Sequence, residues 1–555
     1  MKKYIYIFIV ALAFVSCNDF LDQNPDNRAD LSSPDDIKRL LVSAYPQYSH
    51  VWFAEVMSDN SIDVGPTAYA DANLKESYTW DRVNSSNQDS PDGYWYSCYT
   101  SIAAANHALE AIYKLKKEGK YTAAELEPFE GEALLCRAYS HFMLVNLFSE
   151  HYDPATAEST RGIPYVTSVE TQVNVKYDFL SVKAVYDSIE ADIEKGFPLI
   201  VDTKYDQPKW HFNKKAAATF ISRFYLYRGL DTDWDKVISY ANIATEGKPA
   251  SFLRDWLTTY NMSVDAFGQN YSKSDIPANF LIVSTVSTAF RSWYYRYTMN
   301  LTLLRKRISS GTPHPTTSDI TTSYNSATGS YGGYVLGTKG LGNSSIQAYS
   351  LFKYKEEFKR DGVNANYGIP YVMNTPIVAE EALFNLAEGY IMKEDYSKVI
   401  ELLNMYYAAR VISYNSTSHA VTDALIMAKY RDGGSASAPA IAPHYASKLN
   451  SKQNTYLKCI INIRASEFLK DGQRWFDIKR MHISVEHPIY GSVLDESKDV
   501  LTPTDSRRII PLPEDVIANG LGAFPATDTK SFEGAKSISL LEAYELLNDK
   551  INVSK

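Results

Sequence analysis

Phe129-Glu130-Gly131-Glu132-Ala133-Leu134-Leu135-Cys136-Arg137-Ala138-Tyr139-Ser140-His141-Phe142-Met143-Leu144-Val145-Asn146-Leu147-Phe148 is apolar on most of its sides. Leu134, Leu135, Ala138, Phe142, Leu144, Val145 and Leu147 leave no wide polar face, so the stretch predicts a helix buried nearly all round. Such a helix needs other helices around it. Working outward, Val182, Val185, Ile189 and Ile193 mark one face of a second helix. Lys214 to Leu230 carries Ala216-Ala217-Ala218 and then Phe220, Phe224 and Tyr227, small residues followed by rings one turn apart. Glu380 to Met392 repeats the pattern with Leu383, Leu386, Ala387 and Tyr390, and a partner helix follows with Val399, Leu403 and Tyr406. Ala, aromatic and Leu positions recur without a regular spacing. The expected fold is mostly α, a degenerate tetratricopeptide-like helical-repeat scaffold with a loop-rich, irregular portion inserted into it.

Between the helices the signals change. Ser33-Pro34-Asp35-Asp36 reads as a helix start leading into Ile37, Leu40, Leu41 and Tyr45. Trp52 to Asp92 is aromatic, polar and irregular, and reads as loop. Phe280 to Phe290 is strand-like. Gly162-Ile163-Pro164-Tyr165-Val166 recurs as Gly368-Ile369-Pro370-Tyr371-Val372, each a short extended lead-in to a helix. Ser309 to Ser345 and Ile412 to Tyr456, rich in Ser, Thr and Gly, read as long insertions.

The first residues point to a compartment. Lys2 and Lys3 precede a short apolar run, Tyr4 to Val15, then Ser16 and Cys17. The run is too short to span a bilayer stably, and a small residue before Cys reads as a lipoprotein cleavage site. The expected organisation is a signal peptide over 1–16, a lipid anchor on Cys17 with a polar tether over 17–33, and a single domain over 34–555. Acyl chains contribute about 0.8 kcal/mol per buried methylene, so a multiply acylated cysteine anchors firmly. Net charge is −9 with no basic run, which argues against a nucleic-acid partner. Cys98, Cys136 and Cys459 sit among apolar helical residues and read as small buried hydrophobes. The unusual quantity is 42 tyrosines and 8 tryptophans, residues that present a flat apolar face with a polar tip.

Near the C-terminus, Glu467-Phe468-Leu469-Lys470-Asp471-Gly472-Gln473-Arg474-Trp475-Phe476-Asp477-Ile478-Lys479-Arg480 runs an acidic helix into Gly-x-Arg-Trp-Phe-Asp, and Ile509-Ile510-Pro511-Leu512-Pro513 follows. Together with Glu381 and Glu388, with Gly131-Glu132-Ala133 through Arg137-Ala138-Tyr139, and with Cys17 ahead of Asp19-Phe20-Leu21, this order resembles the SusD/RagB family of outer-membrane nutrient-binding lipoproteins. Val378 stands where that family often has Arg, Ala465 and Ser466 replace part of a basic run, and the tail after Pro525 lacks the usual Asn-Pro-Gly-Tyr ending. Gly472, Arg474, Trp475 and Asp477 read as structural: a helix break, a packed ring, and charges that pair nearby.

No His-Glu-x-x-His, Gly-x-Ser-x-Gly or Cys-x-x-Cys is present, and Gly332 to Lys339 lacks the strand-to-helix context of a phosphate loop. Glu356-Glu357 and Glu380-Glu381 are adjacent, so their carboxylates do not face one another across a cleft as glycoside hydrolysis requires. The reading is non-catalytic, with no cofactor and no metal site. Binding needs rings on loops with amides or guanidiniums beside them. Two clusters offer that: Trp80, Arg82 and Asn84 after Tyr78-Thr79, and Trp293, Tyr294, Tyr295 and Arg296 within Arg291–Tyr297. Tyr331, with Tyr334, is a third choice. The competing expectation is that some of these rings fill a core beneath long loops; Trp95, with Tyr99, Ile102 and Asn106 at helical spacing, is expected to pack. The resemblance implies capture of oligosaccharide or polysaccharide on an exposed arc of aromatics. It also implies a SusC-like TonB-dependent transporter as partner and a lipid-anchored, surface-exposed position on the outer membrane. Peptide capture for the same type of transporter, through extended hydrogen bonding, and a surface adhesin or structural interaction protein are the alternatives.

Overall fold

A computed structural model describes residues 31–171, 175–259, 262–308, 324–325, 330–331, 340–360, 367–411, 414–434 and 438–518. Ten helices carry the scaffold: α1 (Pro34–Leu41), α2 (Pro91–Glu118), α3 (Ala123–Phe148), α4 (Val182–Gly196), α5 (Lys214–Arg228), α6 (Trp234–Ala244), α7 (Ala379–Met392), α8 (Tyr396–Ala408), α9 (Ser451–Glu467) and α10 (Gln473–Arg480). α2 packs on α3, α3 on α4, α5 on α6, α6 on α7, and α7 on α8 and α9, so the mostly helical, stacked-hairpin reading of the sequence is what the chain adopts. One hydrophobic cluster runs through it from Ile37 to Val516. Among the described residues no helix is long and apolar enough to cross a membrane.

The hairpins have local causes. Ser33 caps α1 by accepting from the Asp36 amide, with Pro34 at the first helical position. α2 ends at Gly119 (φ +67°) and α5 at Gly229 (φ +62°), left-handed positions that release the chain into short turns. Gly131 of α3 faces Gly196 at the end of α4: a Cβ on Gly131 would lie 2.8 Å from the Gly196 carbonyl oxygen, and the reverse distance is 3.0 Å. Only two glycines allow so close an approach.

Buried charges link the hairpins across the stack. Arg137 of α3 holds Asp192 of α4 by two bonds of 2.7 Å. Arg223 of α5 pairs with Glu381 of α7. Arg410 bridges Glu380 and Glu467 at 2.8 and 2.9 Å, and Arg480 of α10 grips Glu388 by two bonds of 2.7 Å while also reaching Asp477. The acidic positions singled out in the sequence, Glu381 and Glu388, are therefore anchors of this ladder. Asp477 pairs with Arg464 and Arg480, whereas Arg474 turns away to Asp59 at 2.7 and 2.8 Å. Trp475 is buried and Gly472 (φ +69°) breaks the chain between α9 and α10, as expected.

Three strands, β1 (Asn279–Val286), β2 (Glu356–Arg360) and β3 (Gly368–Val378), form an antiparallel sheet in the order β1–β3–β2, with Val286 opposite Tyr371 and Lys359 opposite Ile369. The two Gly-Ile-Pro-Tyr-Val stretches diverge here. The second opens β3; the first forms no strand, its Gly162 amide donating to the Leu180 carbonyl and the Leu180 amide to the Ile163 carbonyl just before α4. Two expectations are corrected. Trp52–Asp92 contains the short helices Val51–Val56 and Ala72–Tyr78, too brief to show a helical period, and Ile412–Tyr456 contains the helix Asp423–Tyr430 and the start of α9. Most of Ser309–Ser345 lies outside the described residues. Cys98, Cys136 and Cys459 are buried free thiols, with burial pushing the Cys459 thiol up to about 12, and Trp95 and Tyr99 pack in the core.

Candidate functional site

The loop-rich portion has a small core of its own. Trp52, Val56, Leu74, Tyr78 and Tyr297 cluster together, with Ala289, Tyr295 and Ile489 packed against them. Over it three segments of chain meet. Ile62–Asp63 pairs with Tyr297–Thr298, and the pairing continues irregularly: the Val64 amide donates to the Arg296 carbonyl, the Tyr69 amide to that of Tyr294, and the Arg296 amide to that of Tyr69. The third segment is Pro488–Tyr490.

Asp63 holds all three. Its side chain, 0% exposed, accepts from Arg296 Nε and Nη2 at 2.6 and 2.8 Å, from the Gly65 amide at 3.0 Å and from the Tyr490 amide at 3.1 Å. The bond to Asp63 raises the Arg296 guanidinium above its ordinary value. Tyr78 adds a second tie, accepting from the Asp63 amide and donating to the Pro488 carbonyl. Gly65 sits at φ +106°, and a Cβ there would come within 3.1 Å of the Tyr490 ring, which lies over the turn.

Around this junction the rings of Tyr69 (62% exposed), Tyr294 (48%) and Tyr490 (59%) face solvent. Tyr295 lies beneath them, edge-on to Trp52 at 4.7 Å and to Tyr69 at 5.3 Å, and burial raises its hydroxyl. The turn that carries Tyr294, Ala289–Tyr294, is tied at both sides. Asp89 accepts from Ser287 Oγ at 2.6 Å and from the Thr288 amide at 2.7 Å, its carboxyl pushed up to about 6 by burial. Arg291 reaches Glu356 of β2, which raises its guanidinium. The arrangement offers flat apolar faces with hydroxyl tips on a backbone that does not have to be ordered when something binds.

The structure thus brings together one of the two clusters seen in the sequence. Tyr294 is at the surface, Tyr295 is half-buried support, and Arg296 is a tie to Asp63 that leaves its side chain 21% exposed. The backbone of Trp293 lies in the same turn; its side chain is outside the described residues. Tyr331 pairs by backbone with Tyr324, and its side chain likewise lies outside them, as do Tyr334 and Cys17. The other cluster does not present a stacking face. Trp80 is 4% exposed. One face of its ring stacks on His487 at 4.4 Å, Arg507 also lies over the ring at 5.3 Å, and its indole N–H donates to the Met57 carbonyl at 3.0 Å. His487 in turn stacks on Tyr78 at 4.1 Å and faces the Tyr78 and Ser58 carbonyls at 2.7 and 2.9 Å. Arg82 donates to the Leu512 carbonyl, to Asn84 at 3.2 Å and pairs with Glu514 at 3.3 Å; with Asn84 it secures the Pro511-Leu512-Pro513 segment. Tyr69, Tyr490 and Asp63 were not singled out in the sequence. Each sits next to a turn, and only the Gly65-Pro66 and Tyr490-Gly491 pairs hinted at exposure.

Residues 19–226 match a SusD-like family described as starch-binding associating with outer membrane. None of the curated proteins matches the chain. Solved structures similar to it include a SusD superfamily protein from Bacteroides thetaiotaomicron, 15% identical with a TM-score of 0.60, covering 88% of this chain and 98% of that one. A SusD-like carbohydrate binding protein from Bacteroides vulgatus is 14% identical with a TM-score of 0.61, covering 91% and 100%. A SusD superfamily protein from Bacteroides fragilis is 15% identical with a TM-score of 0.57, covering 88% and 98%. Residues 19–226 thus resemble the SusD-like family in sequence, and over nearly its whole length the chain has the fold of SusD superfamily proteins.

Proposed function

We propose that the protein captures oligosaccharide or polysaccharide at the bacterial outer membrane without cleaving it, for import through a SusC-like TonB-dependent transporter. The observation that carries this reading is the arc of Tyr69, Tyr294 and Tyr490 held open around the Asp63–Arg296 pair. A pyranose ring has an apolar C–H face that stacks on such rings, while its hydroxyls exchange hydrogen bonds with tyrosine tips and nearby carbonyls. Anchored rings bind with less loss of conformational freedom than mobile ones. The description of the matching family and the carbohydrate binding named for the B. vulgatus relative support the same ligand class. Cys17 is the proposed lipidation site, which would hold the chain on the cell surface beside the transporter, with the helical stack available as its contact.

The test is affinity electrophoresis of the chain from Asn18 onward in gels containing amylopectin, xylan, mannan, laminarin or polygalacturonate, beside Tyr69→Ala/Tyr294→Ala. Retardation by one polysaccharide, lost in the variant while the far-ultraviolet spectrum is unchanged, is the expected result. An unretarded wild type would move peptide cargo ahead of glycan.

A further inference from the structure

Another open space lies elsewhere, on one face of the sheet. The antiparallel register places Ser284 and Val286 of β1, Ile369 and Tyr371 of β3, and Lys359 of β2 on one face. Val42 and Gln47, following α1, and Trp210 complete the lining of a groove of about 460 Å³ that opens to solvent. Its chemistry differs from that of an ordinary hydrophobic seam. Trp210 and Tyr371 are half-buried, so part of each ring is presented and part is fixed. The Trp210 indole N–H, the Tyr371 hydroxyl, the Gln47 amide, the Ser284 hydroxyl and the Lys359 ammonium converge there. Among the described residues none of these five has a side-chain hydrogen-bond or ion-pair partner, and Lys359 stands exposed to solvent.

We infer that this groove is a second carbohydrate-binding site, separate from the tyrosine arc, that takes a further stretch of glycan chain between Trp210 and Tyr371. The inference rests on the glycan reading of the protein. Two rings spaced by donors and acceptors match a sugar, which shows an apolar face and a girdle of hydroxyls at every residue. The groove suits an extended peptide less well. A strand added to β1 would need its free edge, and at Val286 that edge is closed by the bond from the Val286 amide to the Gln47 carbonyl and the bridge to Tyr48. β1 runs on from Val286 into the turn that carries Tyr294, so one polymer could engage both sites and gain by linkage.

Calorimetry with a defined oligosaccharide of whichever polysaccharide retards the wild type, at hexamer length, tests this with four proteins: wild type, Trp210→Ala/Tyr371→Ala, Tyr69→Ala/Tyr294→Ala, and the fourfold variant. The expected result is two sites per chain in the wild type, one in each double variant and none in the fourfold variant. The affinity of Trp210→Ala/Tyr371→Ala for the intact polysaccharide should fall about tenfold. Unchanged stoichiometry and affinity in Trp210→Ala/Tyr371→Ala, with loss in the tyrosine variant, would overturn the groove and leave glycan capture standing. Loss only in Trp210→Ala/Tyr371→Ala would keep the groove and remove the tyrosine arc. No binding by the wild type would overturn both. All four side chains reach solvent at least in part, and thermal unfolding of each variant separates a folding defect from a binding one.

Discussion

Replacing Asp63 by Ala should disable glycan binding without touching a ring. Asp63 receives four hydrogen bonds from three chain segments, two of them from a guanidinium, inside a setting that excludes water from the carboxylate. Breaking a buried pair by deleting one partner costs ~3–5 kcal/mol. Arg296 retains some access to solvent and can recover part of its hydration, which puts the cost at the lower end, about 3 kcal/mol. That is a large share of the ~5–15 kcal/mol that holds a typical protein together. It falls on loops that this carboxylate joins and not on the helical stack, so the loss should be local. Amide exchange at Tyr69, Arg296 and Tyr490 should accelerate, helical circular dichroism should persist, and the dissociation constant for the bound polysaccharide should rise at least about tenfold. A double-mutant cycle isolates the pair: Asp63→Ala/Arg296→Ala should cost little more than either single change, a coupling of about 1.5–3 kcal/mol. Wild-type affinity in Asp63→Ala, or additive losses in the cycle, would refute the claim that this pair orders the tyrosine arc.

Three further outcomes follow from the scaffold. Arg410→Met deprives Glu380 and Glu467 of the guanidinium they share, so it should cost about 3–5 kcal/mol at pH 7 in urea unfolding and recover partly at pH 5, where a carboxyl can take up a proton. Gly131→Ala brings a methyl against the Gly196 carbonyl and should cost about 1–3 kcal/mol, whereas Gly119→Ala, with nothing near its Cβ, should cost only the strain of its positive φ. His141 donates from Nδ1 to the Arg137 carbonyl and accepts at Nε2 from the Val166 amide, a pattern only the neutral ring satisfies, and burial pushes it down to about 3. Its folded value lies below the unfolded 6.5, so this stability is fully present above pH 6.5 and is lost as pH falls toward 3, at about 1.4 kcal/mol per pH unit; His141→Gln should take up one proton fewer on unfolding at pH 5.

The scaffold was legible because its signals are local and repeated. Leu134 to Phe148 cannot be a surface helix, and Ala216–Ala218 followed by Phe220 and Phe224 describes a close helix contact before any partner is known. What periodicity could not give was pairing. Arg474 and Asp477 stand three apart in sequence and look made for one another, yet Arg474 goes to Asp59, 415 residues away, and Asp477 goes to Arg464 and Arg480. Ion pairs are chosen by which helices stack, and stacking is a property of the whole core. Short helices such as Val51–Val56 failed for the opposite reason, being less than two turns long.

At the site, residue type misled where burial decided. Trp80 with Arg82 and Asn84 has the composition of a sugar platform, but a tryptophan is the most effective filler beneath a long loop, and here one ring face stacks on His487, with Arg507 also over the ring. Tyr69 and Tyr490 have no composition around them to draw attention, and they are exposed because the turns at Gly65 and Gly491 carry them past the edge of the small core. The two kinds of ring depend on each other. The stack of Tyr78, His487 and Trp80, with Tyr78 bonded to both Asp63 and Pro488, is what makes the junction under the exposed tyrosines rigid. A surface that binds by weak stacking gains affinity by losing little freedom on binding, so on the proposed reading the buried aromatics would serve recognition as much as the exposed ones, by holding them still.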